Sequence, residues 1–252
     1  MAEARRLSLR LLHARSRRAW RMLCVWLVWT ATPLFAADPG IVAARYVEPT
    51  TRYAHGVLGD AVEHGGLELA LEGFSGRTII RLPSERVFED TEPRVVDVDG
   101  DGRAEVVVVE AHQDQGARLA IYTASGLLAA TPYIGQRNRW LAPLAIADLD
   151  GDGHVELAYI DRPHLAKTLR VWRYQGGQLE QITKLDGLTN HRIGERDIGG
   201  GLRICGAGPE MVVASADWQR LIAVTFDGGS LAARDIGPHL DRTSFALALA
   251  CK

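Results

Sequence analysis

Cysteine is scarce in this sequence, three residues in 252, and that excludes a disulfide-dense mini-protein scaffold. With 47% hydrophobic residues, 24% charged residues and 26 glycines, the composition is that of an ordinary globular chain. It excludes a disordered tail, a collagen-like fibre and a multi-span membrane protein. Familiar catalytic spacings are missing as well: there is no G-x-S-x-G, no H-E-x-x-H, no P-loop and no Rossmann glycine pattern. Positive charge is not in excess. The whole chain carries −2, but its first 37 residues hold seven Arg and one Glu, which leaves 22 basic against 30 acidic side chains, a net −8, over 38–252. An acidic body argues against nucleic acid as a partner, because neutralising phosphates needs a basic surface.

The basic residues of the N-terminus precede an apolar run from Met22 to Ala37 that ends in small residues. This is the layout of a secretory signal peptide, with cleavage near Ala36 or Ala37. The run is too short for a comfortable bilayer span; an uncleaved signal anchor is the alternative. The mature chain is then expected at 38–252, periplasmic or secreted, with no membrane span after cleavage. Cys24 leaves with the signal, so Cys205 and Cys251 remain. In an oxidising compartment they have one intramolecular pairing open to them, a disulfide, against two separate buried thiols.

Two near-identical acidic stretches carry the most information. Asp97, Asp99, Asp101 and Glu105 occupy positions 1, 3, 5 and 9 of one nine-residue loop; Asp148, Asp150, Asp152 and Glu156 occupy the same positions of another. Glycines stand at positions 4 and 6 of both. Carboxylates crowded to about 4 Å repel by about 1 kcal/mol per pair even at the dielectric of water. A hard divalent cation turns that repulsion into coordination. Calcium accepts six to eight oxygens in flexible geometry, and the position-7 carbonyls of Arg103 and His154 are expected to add main-chain ligands. Two calcium sites follow. An EF-hand is excluded, because position 12 is Val108 or Tyr159 where that motif needs Glu, and because β-branched and aromatic residues follow where it needs a helix.

The two loops are 51 residues apart, and around each the chain reads strand, glycine turn, strand, polar loop, strand. A third, eroded unit starts at Asp197 and keeps Glu210; a weaker one starts at Asp60, with no metal expected. Units of about 50 residues with short alternating strands predict an all-β fold, a small β-propeller of about four to five blades. The run 41–49 reads as an unmatched outer strand and 244–250 as an unmatched inner strand, so the termini are expected to share a closing blade. In that register Cys205 lies inside the fourth loop and Cys251 at the start of a fifth, on one face of the ring, where a bridge would staple the C-terminus.

The stretches DVDGDGRAEVVVV and DLDGDGHVELAYI resemble the FG-GAP/VCBS repeats of integrin-α-type β-propellers in their bacterial secreted form, and the resemblance spans roughly 55–250. It implies calcium held at a blade's inner hairpin by Asp97, Asp99, Asp101, the Arg103 carbonyl and Glu105, and by Asp148, Asp150, Asp152, the His154 carbonyl and Glu156. The sequence departs from integrin repeats by Glu at position 9, a longer arm than the usual Asp.

Loops entering the expected inner strands each carry an arginine, Arg52, Arg139, Arg192 and Arg242. Four guanidiniums recurring around an axis would form an anion-binding ring; local pairing with Asp or Glu is the alternative. The expected function is that of a monomeric, non-enzymatic binding or scaffolding module for a protein or an anionic ligand, with calcium structural. The alternative is a propeller lyase or hydrolase with Arg139, His191 and Glu195 converging over the channel.

Overall fold

Glu105–His112 reads EVVVVEAH, and all but its last residue is buried. A strand that is apolar on both sides belongs in the middle of packed sheets, and the rest of the chain is arranged around strands of this kind. The computed structural model describes residues 38–206 and 208–252; the expected signal segment lies outside the described residues.

Seventeen described strands form three antiparallel sheets. The first sheet holds two successive units. One is β1 (Ile41–Thr50), β2 (Glu63–Leu71) and β3 (Arg77–Arg81), to which β4 (Arg86–Phe88) links the next. The other is the meander β5 (Arg94–Val96), β6 (Glu105–His112), β7 (Gly116–Thr123) and β8 (Gly126–Ala130). The second sheet is the meander β9 (Leu141–Ala147), β10 (Glu156–Asp161), β11 (Thr168–Gln175) and β12 (Gln178–Asp186). In the third, β13 (Leu188–Thr189) flanks the meander β14 (Gly201–Ile204), β15 (Pro209–Ser215), β16 (Arg220–Phe226) and β17 (Leu231–Pro238).

Strand alternation decides which unit packs on which. On β6, Val106 and Val108 face Leu67, Leu69 and Phe88 of the first unit. Val107 and Val109 face the other way, toward Leu157, Tyr159 and Trp172 of the second sheet. On β10 the even residues Ala158 and Ile160 meet Met211 and Val213 of β15. The remaining face of β15, Val212 and Ala214, is covered by Phe245 and Ala248. The units therefore stack face to face in chain order.

The C-terminus corrects one expectation. Residues 244–250 were expected as an inner strand; Thr243–Leu249 is instead a helix, α1. The period-two alternation of that run is misleading, because its members are Ala and Leu, strong helix formers. Phe245 and Ala248, three apart, share the helix face that packs on β15. The strand expected to pair with the C-terminus, β1, pairs along its length with β2. The shared closing blade is thus not built, and Cys251 follows a helix where it was expected to follow an inner strand, at the first position of a fifth motif.

Candidate metal centre

Each acidic loop leaves one strand and enters the buried strand paired with it: β5 to β6 for the first, β9 to β10 for the second. The turn is closed by the acidic side chains themselves. Asp97 accepts the N–H groups of Gly100 (2.8 Å) and Gly102 (2.9 Å), and Asp148 those of Gly151 (2.7 Å) and Gly153 (3.0 Å). Asp99 and Asp150 accept from Asp101 and Asp152, each at 3.2 Å; Asp101 and Asp152 accept from Arg103 and His154, each at 2.8 Å. Glu105 and Glu156 reach back to the N–H of Val98 and Leu149, both at 2.9 Å. The glycines take left-handed φ, +76° and +85° at Gly100 and Gly102, +81° and +89° at Gly151 and Gly153. That conformation costs a side-chain-bearing residue energy and costs glycine little.

Carboxylate oxygens converge in both loops. One oxygen each from Asp97, Asp99 and Asp101 lie within 4.8 Å of one another, and so do one each from Asp148, Asp150 and Glu156. Glu105 and Asp152 fall outside these tightest groups. Burial above all holds the Glu105 carboxyl above its usual range; the Val98 N–H opposes this, and the carboxylates of Asp99, Asp101 and Asp97 add to it. Burial likewise raises Glu156, against the Leu149 N–H and Arg173.

The two loops differ in one respect that sequence spacing did not reveal. Arg173 of β11 reaches Glu156 (2.6 Å), Asp150 (2.7 Å) and Asp152 (2.8 Å) in the second loop. Among the described residues the first loop has only Arg103, on the loop itself, paired with Asp101. In the third sheet Ile204 follows Arg203, the partner of Glu210, as Asp148 follows Ala147, the partner of Glu156. The eroded loop therefore begins at Ile204, and Asp197 lies ahead of β14. There Glu210 is held by Arg203 (2.7 Å) and Arg234 (2.6 Å). A basic residue on the strand beside position 9 is the signal that could have found Arg173.

Cys205 and Cys251 are joined in a disulfide across 46 positions, which ties the end of α1 to the loop between β14 and β15. Arg203 adds a hydrogen bond to the Ala248 carbonyl at 2.8 Å. The four arginines of the expected ring are each placed differently. Arg52 donates to the carbonyls of Leu82, Pro83 and Arg86. Arg139 donates to the Asn138 carbonyl at 3.1 Å and lines a cavity with His55 and His164. Arg192 lies over the Trp218 ring, 4.2 Å from its centroid. Arg242 pairs with Asp197 (2.9 Å) and Glu195. Arg192 and Arg242 line one hollow together; Arg52 and Arg139 are not in it. His191 is buried, with Nε2 at 2.7 Å from the Glu195 carbonyl and its ring against Trp140.

Among the described residues no helix is long and apolar enough to cross a membrane. No curated protein matches the chain. Among solved structures it is similar to a rhamnogalacturonan lyase of Bacillus licheniformis at 16% identity and TM-score 0.40, covering 68% of this chain and 42% of that one. An exotype rhamnogalacturonan lyase gives 17% identity, TM-score 0.39 and coverages of 67% and 40%. An exo-β-1,3-galactanase of Phanerochaete chrysosporium gives 14%, 0.40, 82% and 51%. The chain thus spans between two-fifths and about half of the length of these structures. Residues 97–159, which contain both acidic loops, match the FG-GAP-like repeat family, and that segment is an FG-GAP-like repeat.

Proposed function

We propose that residues 38–252 form a small calcium-stabilised β-propeller whose stacked units are its blades, working outside the cytoplasm as a non-enzymatic binding or scaffolding module. One observation carries the reading: two loops of identical carboxylate order place three ligand oxygens within 4.8 Å, each at the entrance to a buried strand. That donor set is all oxygen, which suits a hard cation, and the flexible loop suits calcium better than magnesium, which demands near-octahedral geometry. Asp97, Asp99, Asp101, Glu105 and the Arg103 carbonyl would hold one ion. Asp148, Asp150, Asp152, Glu156 and the His154 carbonyl would hold the second, in competition with Arg173. Bound calcium supplies charge neutralisation and a tie between loop and strand; saturated oxygen coordination leaves no open position for activating water.

The Cys205–Cys251 bridge supports an oxidising compartment. The net −8 of residues 38–252 favours a protein or a small ligand over nucleic acid as partner. The non-enzymatic reading is supported by His191, which is held by the Glu195 carbonyl and by His164 (2.9 Å) with its ring on Trp140 and does not itself line the cavity of Arg139. We take the working form to be a monomer. Calorimetric titration of the chain with CaCl₂, with thermal melts in CaCl₂ and in EGTA, tests the proposal. Calcium binding with a raised melting temperature is expected. No binding heat together with superimposable melts would overturn it.

A further inference from the structure

A cavity of about 440 Å³ opens where the three sheets meet. Its walls come from the segment leading into β2, the link between β4 and β5, Pro143 of β9 and the stretch ahead of β14. The lining is acidic, and most of its carboxylates are already matched. Asp90 takes both terminal nitrogens of Arg94, at 2.8 and 3.1 Å, and the Tyr46 hydroxyl at 3.0 Å. Asp197 has Arg242 at 2.9 Å, and Arg196 lies 3.7 Å from Asp60.

Glu63 is different. It is 3% exposed, it lines the cavity, and among the described residues its carboxyl has neither a hydrogen bond nor an ion pair. The charged groups that act on it are all carboxylates, those of Glu89, Asp60 and Asp90. His64 beside it is held below its usual range by burial, so it stays neutral at pH 7. A buried carboxyl with no partner keeps its proton, because an unpaired buried charge is among the costliest placements in a protein; on a cavity wall it becomes a charged acceptor once a cation arrives.

The kind of cation follows from the spacing. A metal ion needs several ligand oxygens in mutual reach, and among the described residues only the two acidic loops bring three such atoms within 4.8 Å. The carboxylates of this cavity are too dispersed, and its volume is that of a small organic molecule. A primary ammonium offers three rotatable donors on a flexible stem and accepts dispersed acceptors. We propose that this cavity binds a linear organic di- or polyamine, with one ammonium on Glu63 in its depth and the next toward Asp60 and the exposed Glu92 at its mouth. Burial, then the neighbouring carboxylates, push Glu63 up to about 9, so the free site holds a proton that an arriving ammonium displaces.

Calorimetric titration of the chain with spermidine, run at pH 7 in two buffers of different ionisation enthalpy and with saturating CaCl₂ present, tests this. One spermidine per chain is expected, with proton release that the buffer pair reveals. Glu63→Gln should weaken binding about tenfold or more, the loss of one charge-assisted hydrogen bond, and abolish the proton release. Glu92→Gln, an exposed change that places no burden on folding, should weaken binding about threefold. Absence of spermidine heat at millimolar concentration, or unchanged affinity in both variants, would overturn the proposal. So would a site that takes Mg²⁺ or Ca²⁺ through Glu63 and ignores spermidine.

Discussion

Arg173 stands opposite Glu156 in the β10–β11 ladder and donates from Nε to its Oε1 at 2.6 Å. The same guanidinium reaches Asp150 and Asp152, so one side chain serves three of the four carboxylates of the second loop. In the preceding unit Tyr122 pairs with Val106, which puts Thr123 beside Glu105, and Thr123 donates to Asp38 at 2.7 Å. In the last unit a single remaining Glu210 has two arginines. Acidic side chains and cross-strand guanidiniums thus trade places along the chain. An arginine supplies the positive charge that a divalent ion would otherwise bring.

The first loop should therefore depend on calcium more than the second. Asp97→Ala is expected to remove most of the calcium-induced rise in melting temperature, and Asp148→Ala a smaller share. Scanning calorimetry in CaCl₂ and in EGTA checks this; equal losses would contradict it.

The exchange can also be run in reverse. Thr123→Arg should shrink the calcium response by supplying the first loop with its own cation. Arg173→Met should lower the melting temperature in EGTA and regain part of the loss in CaCl₂. Each variant leaves the loop carboxylates intact, so calcium titration reads the change directly.

Loss of the disulfide should be felt globally. Bridging 46 positions constrains the unfolded chain by about 4 kcal/mol in the loop-entropy picture. Urea unfolding of Cys205→Ser/Cys251→Ser is expected to show a stability loss of that order. The loop carboxylates are untouched, so calcium binding at Asp97–Glu105 should survive.

Buried Glu63 and half-buried His164 set opposite pH limits. Glu63 has a folded pKa pushed up to about 9, above its unfolded value. Its contribution is complete below about pH 4.5 and is lost as pH rises toward 9. His164 is depressed to about 4, by burial first and then by the neighbouring His191. Its contribution is present above about pH 6.5 and is lost as pH falls toward 4. Glu63→Gln should accordingly raise stability at pH 8 and change little at pH 4. His164→Gln should flatten the loss between pH 6.5 and 4. Urea midpoints across pH 4–9 measure both.

Much of this was legible in the sequence because it rests on local chemistry. The nine-residue carboxylate pattern fixes its own turn through Asx-type hydrogen bonds, and VVVV after Glu105 announces a strand buried on both faces. The pairing of Cys205 with Cys251 was legible only through the expectation that Cys24 leaves with a signal and that the remaining chain sits in an oxidising compartment. The rest depends on neighbours distant in the chain. Nothing near position 173 says that its side chain crosses a ladder to Glu156, and nothing near position 63 says that Glu63 has no cationic partner among the described residues. Residues 244–250 misled for another reason: alternating Ala and Leu fit either period, and the choice was made by the apolar face of β15 waiting to be covered.

That covering has a consequence for how such a stack can grow. Among the described residues the faces of β6 and β10 are covered by strands of neighbouring units, and a strand face left bare would invite a neighbour. By laying Phe245 and Ala248 over Val212 and Ala214, with a covalent latch behind them, α1 closes that face of β15 to any other strand. Adding a further repeat on that side by duplication would first require the helix to be prised away.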